Sequence, residues 1–251
     1  MTAALKDVWI PRAVLLALAL ALWEWAGHSA NGEWVSRPSA IVMRLGEMMG
    51  AGLPIDIAVT LGEIVAGLAI GGPAGVLLGL WLGRNPLAAG LVSPVVVALN
   101  SIPFVALAPL MIMWFGLGVL PKIVLVALVS FFIMFFNAYS GVLAVDRDLI
   151  DSLRLMGAAP DETFRKVVLP GATAWIMSGL KSAMPYALIG ATVGEMMLAR
   201  RGIGHLVTQA ASQFDMTGVY AALFVLMLLG IVLNEAVVLT EARLLRWRKS
   251  R

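Results

Sequence analysis

The stretch IAVTLGEIVAGLAIGGPAGVLLGLWL, residues 57–82, decides what kind of protein this is. It carries a single charge, Glu63. An α-helix needs about 20 mostly apolar residues to cross the hydrocarbon core of a bilayer, and this run has them. Its glycines are not scattered. Gly67, Gly71, Gly75, Gly79 and, just beyond, Gly83 recur at every fourth residue. Such a stripe lies along one helical face and lets a second backbone come close. The expected partner is a helix of the same chain, with a second copy of the chain as the other candidate.

Outward from this run, five more segments read as membrane helices: Ala13–Gly27, Leu87–Phe115, Val119–Val142, Ala172–Leu198 and Val219–Glu241. The third span, Leu87–Phe115, is long and holds Pro94, Pro103 and Pro109, so it is predicted to kink or break. The whole chain is 61% hydrophobic and 13% charged, with a mean hydropathy of +0.93. Soluble domains are about 45–50% apolar and 25% charged, so lipid is the expected solvent. At 251 residues the chain has room for one helical bundle, read as a single domain over 1–251, and no large second one. The run after Lys6 and Arg12 resembles a signal peptide, but Ala26-Gly27-His28 is a weak cleavage site, and it reads as the first membrane helix.

Charge sets the expected orientation. With the N-terminus inside, twelve of the 18 lysines and arginines fall in cytoplasmic segments and five outside, with Lys181 in the fifth span. The positive-inside rule therefore puts both termini in the cytoplasm. A net charge of +3 is explained this way and not by nucleic acid. Cysteine is absent, which excludes thiolate chemistry. His28 and His205 are too few for a His-rich metal site. Residues 36–52, with Ile41, Val42, Leu45, Met48 and Met49 at helical spacing, predict a short amphipathic helix, lying at the outer interface or packed on the bundle.

The segment between the fourth and fifth spans, about 144–171, is too polar to cross a membrane. Leu149, Ile150, Leu153 and Met156 repeat at helical spacing, and Gly157 can end that helix. Pro160, Asp161 and Glu162 suit the start of a second helix, Arg165 and Lys166 its last turn, and Pro170 its stop. The prediction is a helix–bend–helix with an apolar stripe that something must cover.

At this loop the chain resembles the permease subunits of ABC importers that carry the EAA loop. Gly157, nine residues, then Val167-Val168-Leu169-Pro170 is similar to that loop. Asp151-Ser152-Leu153 stands where the family has Glu-Ala-Ala, keeping the acid in kind and not the alanines. Arg154-Leu155-Met156-Gly157-Ala158 resembles the nitrate/sulfonate/taurine branch. So do Pro38-Ser39, Thr60-Leu61 with Gly67, Ile102 to Leu110 with Trp114-Phe115-Gly116, Gly194-Glu195-Met196, Gly202-Ile203-Gly204 and Arg243-Leu244-Leu245-Arg246-Trp247. Glu63 departs from the basic residue usual there. The resemblance implies an all-α integral membrane protein of about six helices with the type I importer transmembrane fold, in the bacterial inner membrane. It also implies a homodimer of this chain, two separate ATPase subunits that bind ATP and Mg, and an extracytoplasmic substrate-binding protein. Asp151, Ser152, Leu153, Arg154, Gly157, Ala158, Pro160, Leu169 and Pro170 would form the coupling loop that docks on the ATPase.

The chain has no phosphate-binding loop of its own: Gly71-Gly72-Pro73-Ala74-Gly75 lacks the lysine. Candidate path residues are the polar Asn100 and Ser101, the helix-breaking Pro103 that follows them, and Phe104. Glu195 and Met196 near the end of the fifth span join them, because charges within spans are costly and so suspect. Glu195 has a second reading as a structural hydrogen bond to a neighbouring helix or to Arg200 and Arg201. The implied cargo is a small organic or inorganic anion, or a pyrimidine or aromatic nutrient. A secondary transporter would want an inverted repeat and coupling charges. A membrane enzyme would want a nucleophile or a His/acid pair near one face. Two isolated histidines on outside segments do not supply the second, and the first does not explain the helix–bend–helix.

Overall fold

Prolines punctuate this chain, and the structure uses six of the 12 in first turns of helices: Pro38, Pro54, Pro86, Pro109, Pro121 and Pro160. A first-turn residue needs no amide hydrogen, and proline's fixed φ suits the start of a helix. The computed structural model describes residues 2–29, 34–198 and 200–244. The basic residues Arg246, Arg248, Lys249 and Arg251, and the Leu245-Arg246-Trp247 part of the closing motif, lie outside the described residues.

Among the described residues the chain is helical, without a strand. In order come α1 (Thr2–Ser29), α2 (Pro38–Ala51), α3 (Leu53–Arg84), α4 (Pro86–Asn100), a 3₁₀ turn (Phe104–Leu107) and α5 (Ala108–Phe115). There follow α6 (Leu120–Leu143), α7 (Arg147–Leu155), α8 (Pro160–Thr163), a π-helical turn (Phe164–Val168), α9 (Leu169–Leu198), α10 (Ile203–Ser212) and α11 (Met216–Leu244). Each of the six predicted spans is helical, the third with a break at residues 101–103. Three of these helices, α3, α6 and α11, are long and apolar enough to cross a membrane alone, and α4 with α5 makes a fourth if the bent pair is one span. α1 and α9, of 28 and 30 residues, occupy the first and fifth predicted spans.

The third span is broken, not merely kinked. Its two halves meet at 81°. Pro103 is extended (φ −62°, ψ 113°), and helix resumes only with the 3₁₀ turn after it. Pro94, by contrast, is carried inside α4 without a break.

The glycine stripe packs against α6 of the same chain. A Cβ on Gly71 or Gly75 would run into the carbonyl oxygens of Ala127 and Phe131, and one on Gly79 would lie 2.7 Å from that of Phe135. The close α3–α6 contact is thus a backbone-to-backbone fit that only glycine permits. α9 closes the core from the other side, with Ala187 and Ala191 fully buried beside Val126 and Ile64. Phe131, Phe132, Phe135 and Phe136 of α6 fill the space toward α4. α2 takes a place between the two readings of its sequence. Ile41 is buried and Leu45 and Met48 pack on the core, while Val42, Met43 and Met49 face out.

The loop departs from expectation at Pro170, which does not stop a helix. No helix starts at this proline either, because the helix runs through from Pro160 into α9. The π turn explains how. Leu169 donates its N–H five residues back to Phe164, so the turn is widened where the proline ring would meet the carbonyl four residues before it. Arg165 and Lys166 lie in this turn, as expected, but the helix continues beyond it into α9.

Candidate functional site

The first of three sites is the α7–α8 elbow. Asp146 caps α7 by accepting the N–H of Asp148 at 2.9 Å. At the other end Ala158 donates to the Leu153 carbonyl at 3.0 Å and Gly157 to that of Arg154 at 2.9 Å. That pair of bonds is a Schellman motif, and it needs a left-handed residue at Gly157, whose φ is +84°. The turn leaves Leu155 and Met156 90% and 82% exposed at the tip. Arg84, ending α3, holds the elbow to the bundle: it lies 3.3 Å from Asp161 and its guanidinium stacks 4.2 Å from the centre of the Phe164 ring. Lys166 pairs with Glu162 and holds its carboxyl below the usual range. Of the predicted loop residues, Asp151 and Arg154 face each other at 3.5 Å, and Pro160 opens α8. Ser152 is exposed on α7, and Leu169 and Pro170 begin α9.

The second site is a cavity of about 470 Å³ at the break between α4 and α5. Asn100, Pro103 and Phe104 line it, opposite Leu125, Val129 and Ile133 of α6 and Tyr186, Ile189, Gly190 and Val193 of α9. Three of the predicted path residues therefore meet there. Ser101 does not join them; its hydroxyl donates to the Val97 carbonyl at 3.0 Å. Met196 is partly exposed near the end of α9, away from this lining. Tyr186 escaped the sequence reading, although a lone phenol next to Pro185 in an apolar span, with Ile189 and Val193 on its face, is a signal of the right kind.

The third is a buried polar network toward the opposite end of α3 from Arg84, about 36–42 Å away along a 32-residue helix. Glu195 is 0% exposed. Its carboxylate accepts from the Thr60 hydroxyl at 2.6 Å and from the Gly204 N–H at 2.8 Å. Thr60 in turn accepts the Ile203 N–H at 3.0 Å, and Asp56 accepts that of Gly202 at 2.9 Å. The arrangement accounts for the glycines. Gly202 has φ +115°, and a Cβ on Gly202 or Gly204 would strike Glu195. Glu195 bonds neither arginine; Arg201 lies 3.9 Å from Asp56. One layer further in, Glu63 pairs with Lys122 of α6, both buried. This supplies the partner that the unusual acid needs. Asp56, Thr60 and Glu63 stand at i, i+4 and i+7, a polar stripe readable in the sequence, while their partners are 59 to 146 residues away. Lys181 pairs with Glu241, joining α9 to α11. Among the described residues no group of three or more His, Cys, Asp or Glu side chains is placed to hold a metal.

Residues 71–246 match the family described as binding-protein-dependent transport system inner membrane component. The chain is 33% identical to the formylaminopyrimidine transport permease protein ThiX of Halalkalibacterium halodurans, over 92% of this chain and 93% of that one. It is 28% identical to the putative aliphatic sulfonates transport permease protein SsuC of Bacillus subtilis, over 96% and 89%. In structure it is similar to the MetNI methionine ABC transporter in an inward-facing conformation, with TM-score 0.59 and 25% identity, over 72% of this chain and 88% of that one. Members of this family work with a separate ATPase subunit, which hydrolyses ATP, and with a substrate-binding protein. The chain belongs to the binding-protein-dependent transport family and is the membrane permease subunit of an ABC importer.

Proposed function

We propose that this permease imports a flat, uncharged or weakly polar organic nutrient of pyrimidine type, along a path bordered by Asn100, Pro103 and Phe104. The lining of the α4–α5 cavity carries this reading. It offers one amide, Asn100, and two rings, Phe104 and Tyr186, among apolar side chains, with no lysine or arginine. An amide can donate and accept to a ring nitrogen and its substituent, while aromatic faces take the ring itself. A sulfonate or nitrate would leave its charge uncompensated there. The name of the relative from Halalkalibacterium halodurans points the same way. Glu195 then serves the path indirectly, by fixing α10 against α3 and α9, and not as a lining group.

The assembly in this reading is a homodimer in the bacterial inner membrane, with both termini and the α7–α8 elbow in the cytoplasm. The surplus of cytoplasmic lysine and arginine supports that orientation. The elbow, with Leu155 and Met156 at its tip, docks on the ATPase. Closure of the ATPase pair moves the elbows, and the two bundles rock to open the path to one side at a time.

Reconstitution with its ATPase and substrate-binding protein tests the proposal. ATP-dependent uptake of a labelled aminopyrimidine, reduced in Asn100→Leu with ATPase coupling intact, is the expected result. Uptake of an alkanesulfonate in its place overturns the substrate class, and undiminished uptake by Asn100→Leu removes that residue from the path.

A further inference from the structure

The cavity beneath the elbow has a charge that, Arg154 of the coupling loop aside, the transport reading does not use. It measures about 310 Å³, at the lower end of the roughly 300–1,000 Å³ usual for small-ligand sites. Its charged lining consists of three arginines, Arg84, Arg147 and Arg154, and no carboxylate. Their acidic neighbours are weak competitors. Asp161, 3.3 Å from Arg84, is 86% exposed, and the Arg154–Asp151 pair is about two-thirds exposed on both sides. Exposed pairs of this kind exchange readily with water and other anions. Arg147 has no acidic partner among the described residues. Guanidinium forks match phosphate oxygens, and Arg84 is held in place by its stacking on Phe164. Thr163 apart, the rest of the wall is apolar, and Leu143, part of it, is 57% exposed at the end of a membrane helix.

We infer that this cavity binds a phosphate-bearing anion, supplied by the headgroup of an acidic lipid in the leaflet on the elbow's side. Basic pockets between membrane helices on the cytoplasmic side are suited to such headgroups. The apolar rim at Leu143 would take the first acyl carbons while the phosphate meets the three arginines. The leaflet rests on the orientation proposed above; the site itself does not. Because α7 carries both Arg147 and the exposed tip, lipid charge would bear on how the elbow is presented.

The test uses the full chain in complex with its ATPase, stripped of lipid in neutral detergent. Native mass spectrometry follows titration with phosphatidylglycerol or with phosphatidylcholine of the same acyl chains. One retained phosphatidylglycerol per chain, favoured over phosphatidylcholine, is expected. Arg147→Gln should weaken it about fivefold, and Arg147→Lys should keep most of it. Arg147 is exposed, so both variants fold, and Arg44→Gln at the other end of the bundle should leave the lipid preference unchanged. Thermal stabilisation by inorganic phosphate in phosphatidylcholine nanodiscs, without a lipid preference, supports the anion site with a soluble source. Equal binding of both lipids with no response to phosphate overturns it, as does a preference that survives Arg147→Gln combined with Arg154→Gln. None of these readouts measures transport, so failure here is separate from failure of the substrate reading.

Discussion

Phe214 occupies a position built for glycine. The α10 C-terminus repeats the Schellman pattern, with Phe214 donating to Ala211 at 3.1 Å and Asp215 to Ala210 at 2.9 Å, and Phe214 takes φ +57°. Its ring is 85% exposed, so little burial offsets the strain. Phe214→Gly is expected to stabilise the solubilised protein by about 1 kcal/mol, seen as a rise in Tm. A fall in Tm would mean that the ring makes a contact absent from the isolated chain. The Glu63–Lys122 pair is the opposite case, a buried charge that is matched. Lys122→Met strands Glu63 and should cost about 3–5 kcal/mol, most of it recovered by adding Glu63→Leu. A double variant no better than the single one in thermal unfolding would refute the pairing argument. At the elbow, the lowered carboxyl of Glu162 gives the sign of a pH effect. Whatever its pair with Lys166 contributes is present above the ordinary glutamate range and fades as pH falls through the lowered value.

At the scale of elements, the contact between α3 and α6 is decided by absent side chains. Gly75→Ala drives a Cβ into the Phe131 carbonyl and should abolish folded protein, read as loss of a monodisperse peak after solubilisation. Gly62, on the same helix, has nothing within 4 Å of an added Cβ, and Gly62→Ala should gain about 0.5–1 kcal/mol. If the two variants behave alike, the stripe is not the packing seam. The elements also show where local reading fails. Pro170 carries every mark of a helix stop, yet the π turn lets the helix pass it, and a widened turn leaves no residue-type signature to find. Pro94 and Pro103 look equivalent in sequence; only the second breaks the helix, where Phe104 turns in to meet Phe132 with ring centres 5.7 Å apart.

At the scale of the molecule, α3 links the buried network to the elbow. Its first turns hold the Glu195 network and its last residue, Arg84, holds the elbow. Leu155→Asp with Met156→Asp should abolish co-purification of the ATPase while the permease still folds, because both side chains are exposed. Retention of the ATPase would show that docking lies elsewhere. The chain has no native cysteine, so single replacements report topology without background. Asp148→Cys should react with an impermeant maleimide only in inside-out vesicles, and Gln213→Cys only in right-side-out ones; the reverse pattern would invert the proposed orientation.

The sequence by itself determined the solvent and the approximate spans, because hydropathy and charge bias are local signals carried by neighbouring residues; the kind of protein came from the resemblance of the Gly157 loop and its companion segments to a known family. It also marked Asn100, Pro103 and Phe104, whose polarity and backbone chemistry stand out within one span. Only the tertiary structure decided that the glycine stripe meets α6, that Glu63 answers Lys122, and that Glu195 is buried among Thr60 and Gly204. Those are pairings between helices far apart in the chain. An acid in an apolar run announces that a partner must exist, since an unpaired charge there is too costly, but which helix supplies it is settled by packing alone.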